Sequence, residues 1–186
     1  MGKVKFNLKN VHYAVLQDEA TPTWDVPKAV PGAVSLSVEP EGEVSPFYAD
    51  GILYYQSIAN NGYTGELEIA LLPPEFLKDV FGYTEGSTSK VLTENAGVEP
   101  KAFALMCEED GNVDGTKFVF YKCSATRPTR EFKTKTNTKE PTTQKLSITI
   151  SPMADGKVFA MTQETTTSEI DKAWYTSVYV EKGPMA

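Results

Sequence analysis

Catalysis needs nucleophiles, acids and bases or metal ligands held close together, and this sequence offers few of them. Its one histidine is His12, and its two cysteines are Cys107 and Cys123. A hydrolytic triad needs a histidine oriented by a carboxylate beside a nucleophile. Only His12 could supply it, and neither Gly-x-Ser-x-Gly nor a papain-like cysteine context occurs. His12 lies in an alternating apolar stretch, which makes it a structural or surface residue first. One histidine and two cysteines do not make a zinc set. The acidic stretch EEDGNVDG, 108–115, places Asp110, Asn112 and Asp114 at alternate positions, as a calcium loop does. The twelfth position of such a loop would be Tyr121, where the bidentate glutamate belongs, so the stretch reads as a turn. Glu66 and Glu68 are two apart on a strand, near the ~7 Å separation of an inverting glycosidase pair. Most polar strand faces offer the same spacing. No glycine-rich phosphate loop leads from a strand into a helix. Surfaces, rather than a pocket, are left to carry the function. No cofactor and no metal are expected.

The elements behind these residues follow period two. AVSLSVE sets Val34, Leu36 and Val38 opposite Ser35, Ser37 and Glu39; GELEIALL sets Leu67, Ile69 and Leu71 opposite Glu66, Glu68 and Ala70. QKLSITIS repeats the pattern, with Leu146, Ile148 and Ile150 on the apolar side. KAFALMCEE (101–109) and TKFVFYKCSA (116–125) read as a hairpin with a longer loop, and further strands are expected at 11–17, 157–162 and 175–180. Two short helices are expected. In PPEFLKDVFG, Pro74 suits the first turn, Phe76, Leu77, Val80 and Phe81 form one stripe, and Gly82 ends the helix in the left-handed region. In SEIDKAW, Ser168 is the expected N-cap. The Asn61-Gly62 dipeptide predicts a two-residue hairpin turn. That register pairs Ser57 with Glu66 and Tyr55 with Glu68, placing Tyr54, Gln56, Ile58, Leu67 and Ile69 on a core face. Residues 64–72 would then form one strand of roughly 30 Å.

Composition bounds the rest. The 186 residues suit a single domain, 1–186, and 40% hydrophobic content supports a real core. A formal charge of −7 argues against binding free nucleic acid or an anionic membrane. The one basic cluster, Arg127, Arg130, Lys133, Lys135 and Lys139, is spaced through threonines and reads as a polar loop over about 129–143. MGKVKFNLKN lacks the apolar segment of a signal peptide, and no apolar run approaches the ~20 residues of a membrane span. Two cysteines are too few for a secreted disulfide scaffold, so buried thiols in a cytoplasmically made protein are expected.

KNVHYAVL (9–16), VPGAVSLSVEPEGE (30–43), FYADG (47–51), NNGYTGELEIALLP (60–73), YKCSATRP (121–128) and the closing W..SVYV (174–180) resemble, in order and over nearly the whole chain, the major tail protein of long-tailed siphophages. More narrowly, they resemble the version common in phages and prophages of Gram-positive bacteria, and the Thr/Lys-rich stretch near 130–143 departs from it. The resemblance implies a mainly β (α+β) tail-tube sandwich or barrel with one flanking short helix. It also implies a long hairpin arm, here about 40–63, with Phe47, Tyr48, Ile52, Leu53, Tyr54 and Tyr55 as contacts between subunits. Glu39, Glu66 and Glu68 would face a lumen. The implied function is a non-enzymatic virion subunit that self-assembles into stacked hexameric rings. By the same resemblance a tape-measure protein and then DNA would occupy the bore, and tail terminator and distal tail proteins would close the ends. The alternative is a monomeric β-sandwich binding module for a carbohydrate or protein ligand, with a small hydrolase using Glu66 and Glu68 behind it.

Overall fold

The computed structural model describes residues 6–111, 115–134 and 141–181. Its strands are β1 (Phe6–Asp18), β2 (Thr23–Trp24), β3 (Lys28–Ala29), β4 (Ala33–Pro40), β5 (Val44–Ala49), β6 (Ile52–Ile58) and β7 (Tyr63–Ile69). After helix α1 (Pro74–Asp79) come β8 (Thr84–Glu85), β9 (Leu92–Thr93), β10 (Phe103–Asp110), β11 (Thr116–Ala125), β12 (Gln144–Ile150), β13 (Phe159–Met161) and helix α2 (Ser168–Ala173). The fold is mainly β. Two short helices flank the sheet, where the resemblance implied one.

The main sheet runs β2-β1-β10-β11-β12-β7-β4, with β3 on the outer edge of β1 and β13 on β11. Laid flat, the six steps from β3 to β4 would span about 29 Å at ~4.8 Å per strand. Yet Ala29 ends β3 and Ala33 begins β4, and that stretch of backbone reaches at most ~15 Å. The sheet must therefore curl until its ends approach, as in a barrel. Bulges help it bend: β1 shifts register between Phe6 and Leu8 and between Lys9 and His12, where Asn7 (φ 66°) and Asn10 (φ 52°) take the left-handed conformation.

Alternation decides what lies inside the curl. Leu67 and Ile69 of β7 and Leu146, Ile148 and Ile150 of β12 join Val11, Tyr13 and Val15 of β1 in one core, closed by α1. The stripe expected on that helix is present: Phe76 packs its ring against Tyr13, Phe81 and Phe103 at centroid distances of 4.7, 5.8 and 5.4 Å. Gly82 has φ 66°, as expected of the residue that ends the helix. β10 is buried on both faces from Phe103 to Glu108, which explains its unbroken apolar run. Its second face meets a smaller core of Ala14, Met106, Val119, Tyr121, Met153 and Trp174. Residues 175–180 are not the expected strand; Tyr175, Val178, Tyr179 and Val180 instead pack irregularly on that second core. Likewise Thr167, not Ser168, precedes the first turn of α2, and no side chain caps it.

The last residue of α1 is clasped from two strands. The Tyr13 hydroxyl donates to Asp79 Oδ2 at 2.8 Å, and Lys28 Nζ lies 2.6 Å from the same oxygen. Desolvation raises the carboxyl pKa of Asp79, but the bonds from Lys28 and Tyr13 outweigh it and hold the group below its ordinary 3.8. A lowered folded pKa stabilises the fold above the unfolded value, and that contribution is lost as pH falls through the folded one. Asp79→Asn should cost about 1–2 kcal/mol at neutral pH. The gap from wild type should shrink below pH ~4 in urea titrations; a gap constant from pH 7 to 3 would refute the assignment.

The Asn61-Gly62 turn is corrected. β6 pairs with β5, not with β7, and the hairpin turns at Asp50-Gly51, where Ala49 faces Ile52. Both turn residues have positive φ, 53° and 75°, as the favoured two-residue turn requires. β7 pairs instead with β4 on one side and β12 on the other, matching Leu36, Leu67 and Leu146 across three strands. Tyr54, Gln56 and Ile58 are consequently exposed, not core. β7 ends at Ile69, short of the expected residue 72. The β4–β7 ladder continues through Glu41 N–H to Gly62 O, Asn61 N–H to Glu41 O and Ala59 N–H to Glu43 O into β5–β6. The result is one ribbon from Ala33 to Ile69, with about 17 residues per strand and roughly 56 Å long.

Gly62 sits at the joint with φ 105°, and a Cβ there would stand 2.0 Å from Ile150 O. Gly62→Ala should therefore lose about 2 kcal/mol or more, from strain and from displacing β12. Urea unfolding checks this; a loss under ~0.5 kcal/mol would mean the joint yields freely.

Candidate functional surfaces

The histidine and thiols take structural places. His12 Nδ1–H donates to Asn10 O at 2.8 Å, and the ring lies 4.5 Å from that of Tyr175. Cys107 and Cys123 are both free and buried. Burial pushes the Cys107 thiol up to about 12 and raises that of Cys123 as well, so neither is poised as a nucleophile at neutral pH. Among the described residues no group of three or more His, Cys, Asp and Glu could hold a metal, and no helix is long and apolar enough to cross a membrane. Asn112 and Asp114 lie outside the described residues, as do Lys135 and Lys139. The other members of the basic cluster have partners. Arg127 is paired with Glu94 and reaches Val98 O at 3.2 Å, Arg130 lies 3.5 Å from the Tyr83 hydroxyl, and Lys133 lies 3.1 Å from Glu131.

Glu39, Glu66 and Glu68 come together on one face. The registers of β4, β7 and β12 align three rows: Ser35–Glu68–Lys145, Ser37–Glu66–Ser147 and Glu39–Thr64–Thr149. Every member is exposed or half-buried, while Leu67, Leu146 and Ile148 between them are buried in the core and Leu36 packs against it; Val38, between Ser37 and Glu39, is exposed. Within this polar face Lys145 Nζ lies 2.7 Å from Glu66 Oε1, and the Thr143 hydroxyl donates to Glu68 Oε1 at 2.5 Å. The bond to Glu66 raises the Lys145 pKa, so that amine stays charged. The two glutamates thus lean on separate partners rather than on one another. The face carries three carboxylates and one ammonium. Sequence reading placed Lys145 on the polar side of its strand but not beside Glu66; the β7–β12 register supplies that neighbour, and Thr143 joins the face through its bond to Glu68.

The second surface is the ribbon beyond Pro40 and Tyr63. All of Val44–Ile58 except Ala49 is exposed. Phe47, Tyr48, Ile52, Leu53, Tyr54 and Tyr55 lie along it with Val44 and Ile58, between 49% exposed at Leu53 and 75% at Ile58. Monomers rarely present apolar patches above ~300–600 Å². At ~150–250 Å² for each aromatic alone, these eight side chains exceed that. The ribbon is also unpaired along the outer edges of β5 and β6 among the described residues, and such edges invite pairing with another chain.

Fold and surfaces together define a mainly β protein with a curled sheet, one polar acidic wall and a projecting apolar ribbon. No family model and no curated protein matches the sequence. Among solved structures, the chain is similar to the anti-feeding prophage cap, a tube-terminating cap determined by cryo-electron microscopy. The identity is 10%, the match covers 86% of this chain and 93% of that one, and the TM-score is 0.46. So distant a likeness speaks neither to function nor to partners.

Proposed function

We propose that this chain is a structural, non-enzymatic subunit of a phage tail tube, found in the tail of the virion and made in the cytoplasm of the host bacterium. Copies close into hexameric rings, and the rings stack into a conduit for the genome. A tape-measure protein fills the bore during assembly, and terminator and distal tail proteins cap the ends. The observation that carries the reading is the exposed ribbon of Val44–Ile58, which no other described residue of the subunit covers and which suits a protein that exists to meet its own copies. Ring closure needs head-to-tail contacts whose rotation closes, and a ribbon reaching away from the body provides an asymmetric contact of that kind. The sequence resemblance supplies the tube, and the wall of Glu39, Glu66 and Glu68 suits a bore. Carboxylates near the DNA path give phosphate nothing to bind, over the ~8 Å reach of charge at physiological salt.

Electron microscopy of the concentrated, purified chain tests the reading. Rings or hollow tubes are expected. A chain that stays monomeric by light scattering at every concentration and cannot join tails overturns it, and leaves the monomeric binding module.

A further inference from the structure

The ribbon is apolar on both sides. In β5 and β6 directly opposed residues share a face. Val44 opposes Ile58 and Tyr48 opposes Leu53, which sets these four on one face. Phe47 opposes Tyr55 and Ala49 opposes Ile52, which sets Phe47, Tyr55 and Ile52 on the other. The register shift between Phe47 and Tyr48 leaves Tyr54 as the extra residue of a bulge. Its ring meets that of Phe47 edge-on at 6.5 Å, so it joins the second face. One face is mainly aliphatic and the other mainly aromatic, and among the described residues the body covers neither.

A ribbon laid flat on a surface hides one face and leaves the other in water. Here each face presents on the order of 500 Å² of exposed side chain, as much as the largest apolar patch of an ordinary monomer. We infer that the arm is inserted between two other copies of this chain, each covering one face, rather than docked on a single neighbour. The area favours copies over a passing partner. Each face alone falls short of the ~800 Å² per partner of a stable two-body interface, a shortfall that a repeating assembly makes up because every subunit both inserts its own arm and holds the arms of others. The inference rests on the tube reading and sharpens it: every subunit is held through its arm by two others.

Two double variants and a crosslinker test it. Tyr48→Ser with Leu53→Ser strips the aliphatic face; Phe47→Ser with Tyr55→Ser strips the aromatic one. Both should keep the wild-type melting temperature, and each should raise the concentration needed for assembly at least tenfold. Photo-reactive benzoylphenylalanine placed at Leu53 or at Tyr55 in assembled protein should capture two non-overlapping segments of other copies. Wild-type tubes that tolerate loss of either face overturn the two-sided arm and leave the tube reading intact. So do crosslinks from both positions to one segment, or within one chain. A wild-type chain that never assembles sinks both.

Discussion

Replacing residues 44–58 with a two-residue Asn-Gly turn should leave a folded, soluble chain that forms no tubes. The join is short, because Ala59 N–H already donates to Glu43 O at 3.1 Å, so the cut ends face one another across the ribbon. Neither core contains a residue of this segment, and burial is what contributes most to stability. Calorimetry should therefore show a melting temperature within a few degrees of wild type. Assembly is a different matter. Buried aromatics cost ~2 kcal/mol or more apiece when truncated at interfaces, and this segment contains Phe47, Tyr48, Tyr54 and Tyr55. Sedimentation and electron microscopy should find the assembly threshold raised beyond ~100-fold. Normal tubes from the shortened chain would sink the assignment of the ribbon as the contact between subunits.

The other large effect is expected from reversing charge on the polar wall. Glu66→Lys with Glu68→Lys removes two carboxylates and adds two ammonium groups per subunit beside Lys145, which loses its ion pair. Both glutamates are partly exposed and neither belongs to a core, so folding and tube formation should survive. The bore would then offer phosphate a ring of cations. Tubes of the variant should bind double-stranded DNA at ~50 mM salt and lose at least ~1,000-fold in affinity by ~200 mM, whereas wild-type tubes should bind none. In phage carrying the variant, genome ejection should be impaired. If the variant fails to assemble, these side chains lie between subunits and not on a lumen; if its tubes ignore DNA, the wall faces elsewhere.

Much of the sheet was legible because β7 and β12 bury Leu67, Ile69, Leu146, Ile148 and Ile150 on one face, so period two marks their apolar sides. In β4 the same pattern overstated burial, since Leu36 is half-buried while Val34 and Val38 are exposed. The helix at α1 was equally plain from its stripe and Gly82. The pairing of the hairpin was not legible in the same way. Asn61-Gly62 and Asp50-Gly51 are both strong turn dipeptides, and local propensity cannot choose between them. The choice is made at long range, because Leu36 of β4 and Leu146 of β12 flank Leu67 in the folded sheet. Pairing β6 with β7 would have taken the place that β4 occupies. The same gap hid Lys145 from view as a neighbour of Glu66, since strand patterns fix which face a residue takes but not who stands beside it. Residues 175–180 misled for the opposite reason. Their apolar side chains do serve the protein, but as irregular packing around Trp174.

The continuity of the ribbon has a mechanical consequence. The arm strands β5 and β6 follow the wall strands β4 and β7 through only residues 41–43 and 59–62, and three backbone hydrogen bonds, Glu41 N–H to Gly62 O, Asn61 N–H to Glu41 O and Ala59 N–H to Glu43 O, tie those two short segments together. At the junction, a side chain at Gly42 would strike Ala59 O and one at Gly62 would strike Ile150 O, each at 2.0 Å. A pull along the arm therefore loads the β4–β7 and β7–β12 ladders in shear, with their hydrogen bonds sharing the force together instead of unzipping one by one. In the proposed tube each subunit would then act as a stiff lever, its handle held by other copies and its blade the wall, so strain entering at one end of a stack would pass on as tension in backbone and not be spent on bending a joint.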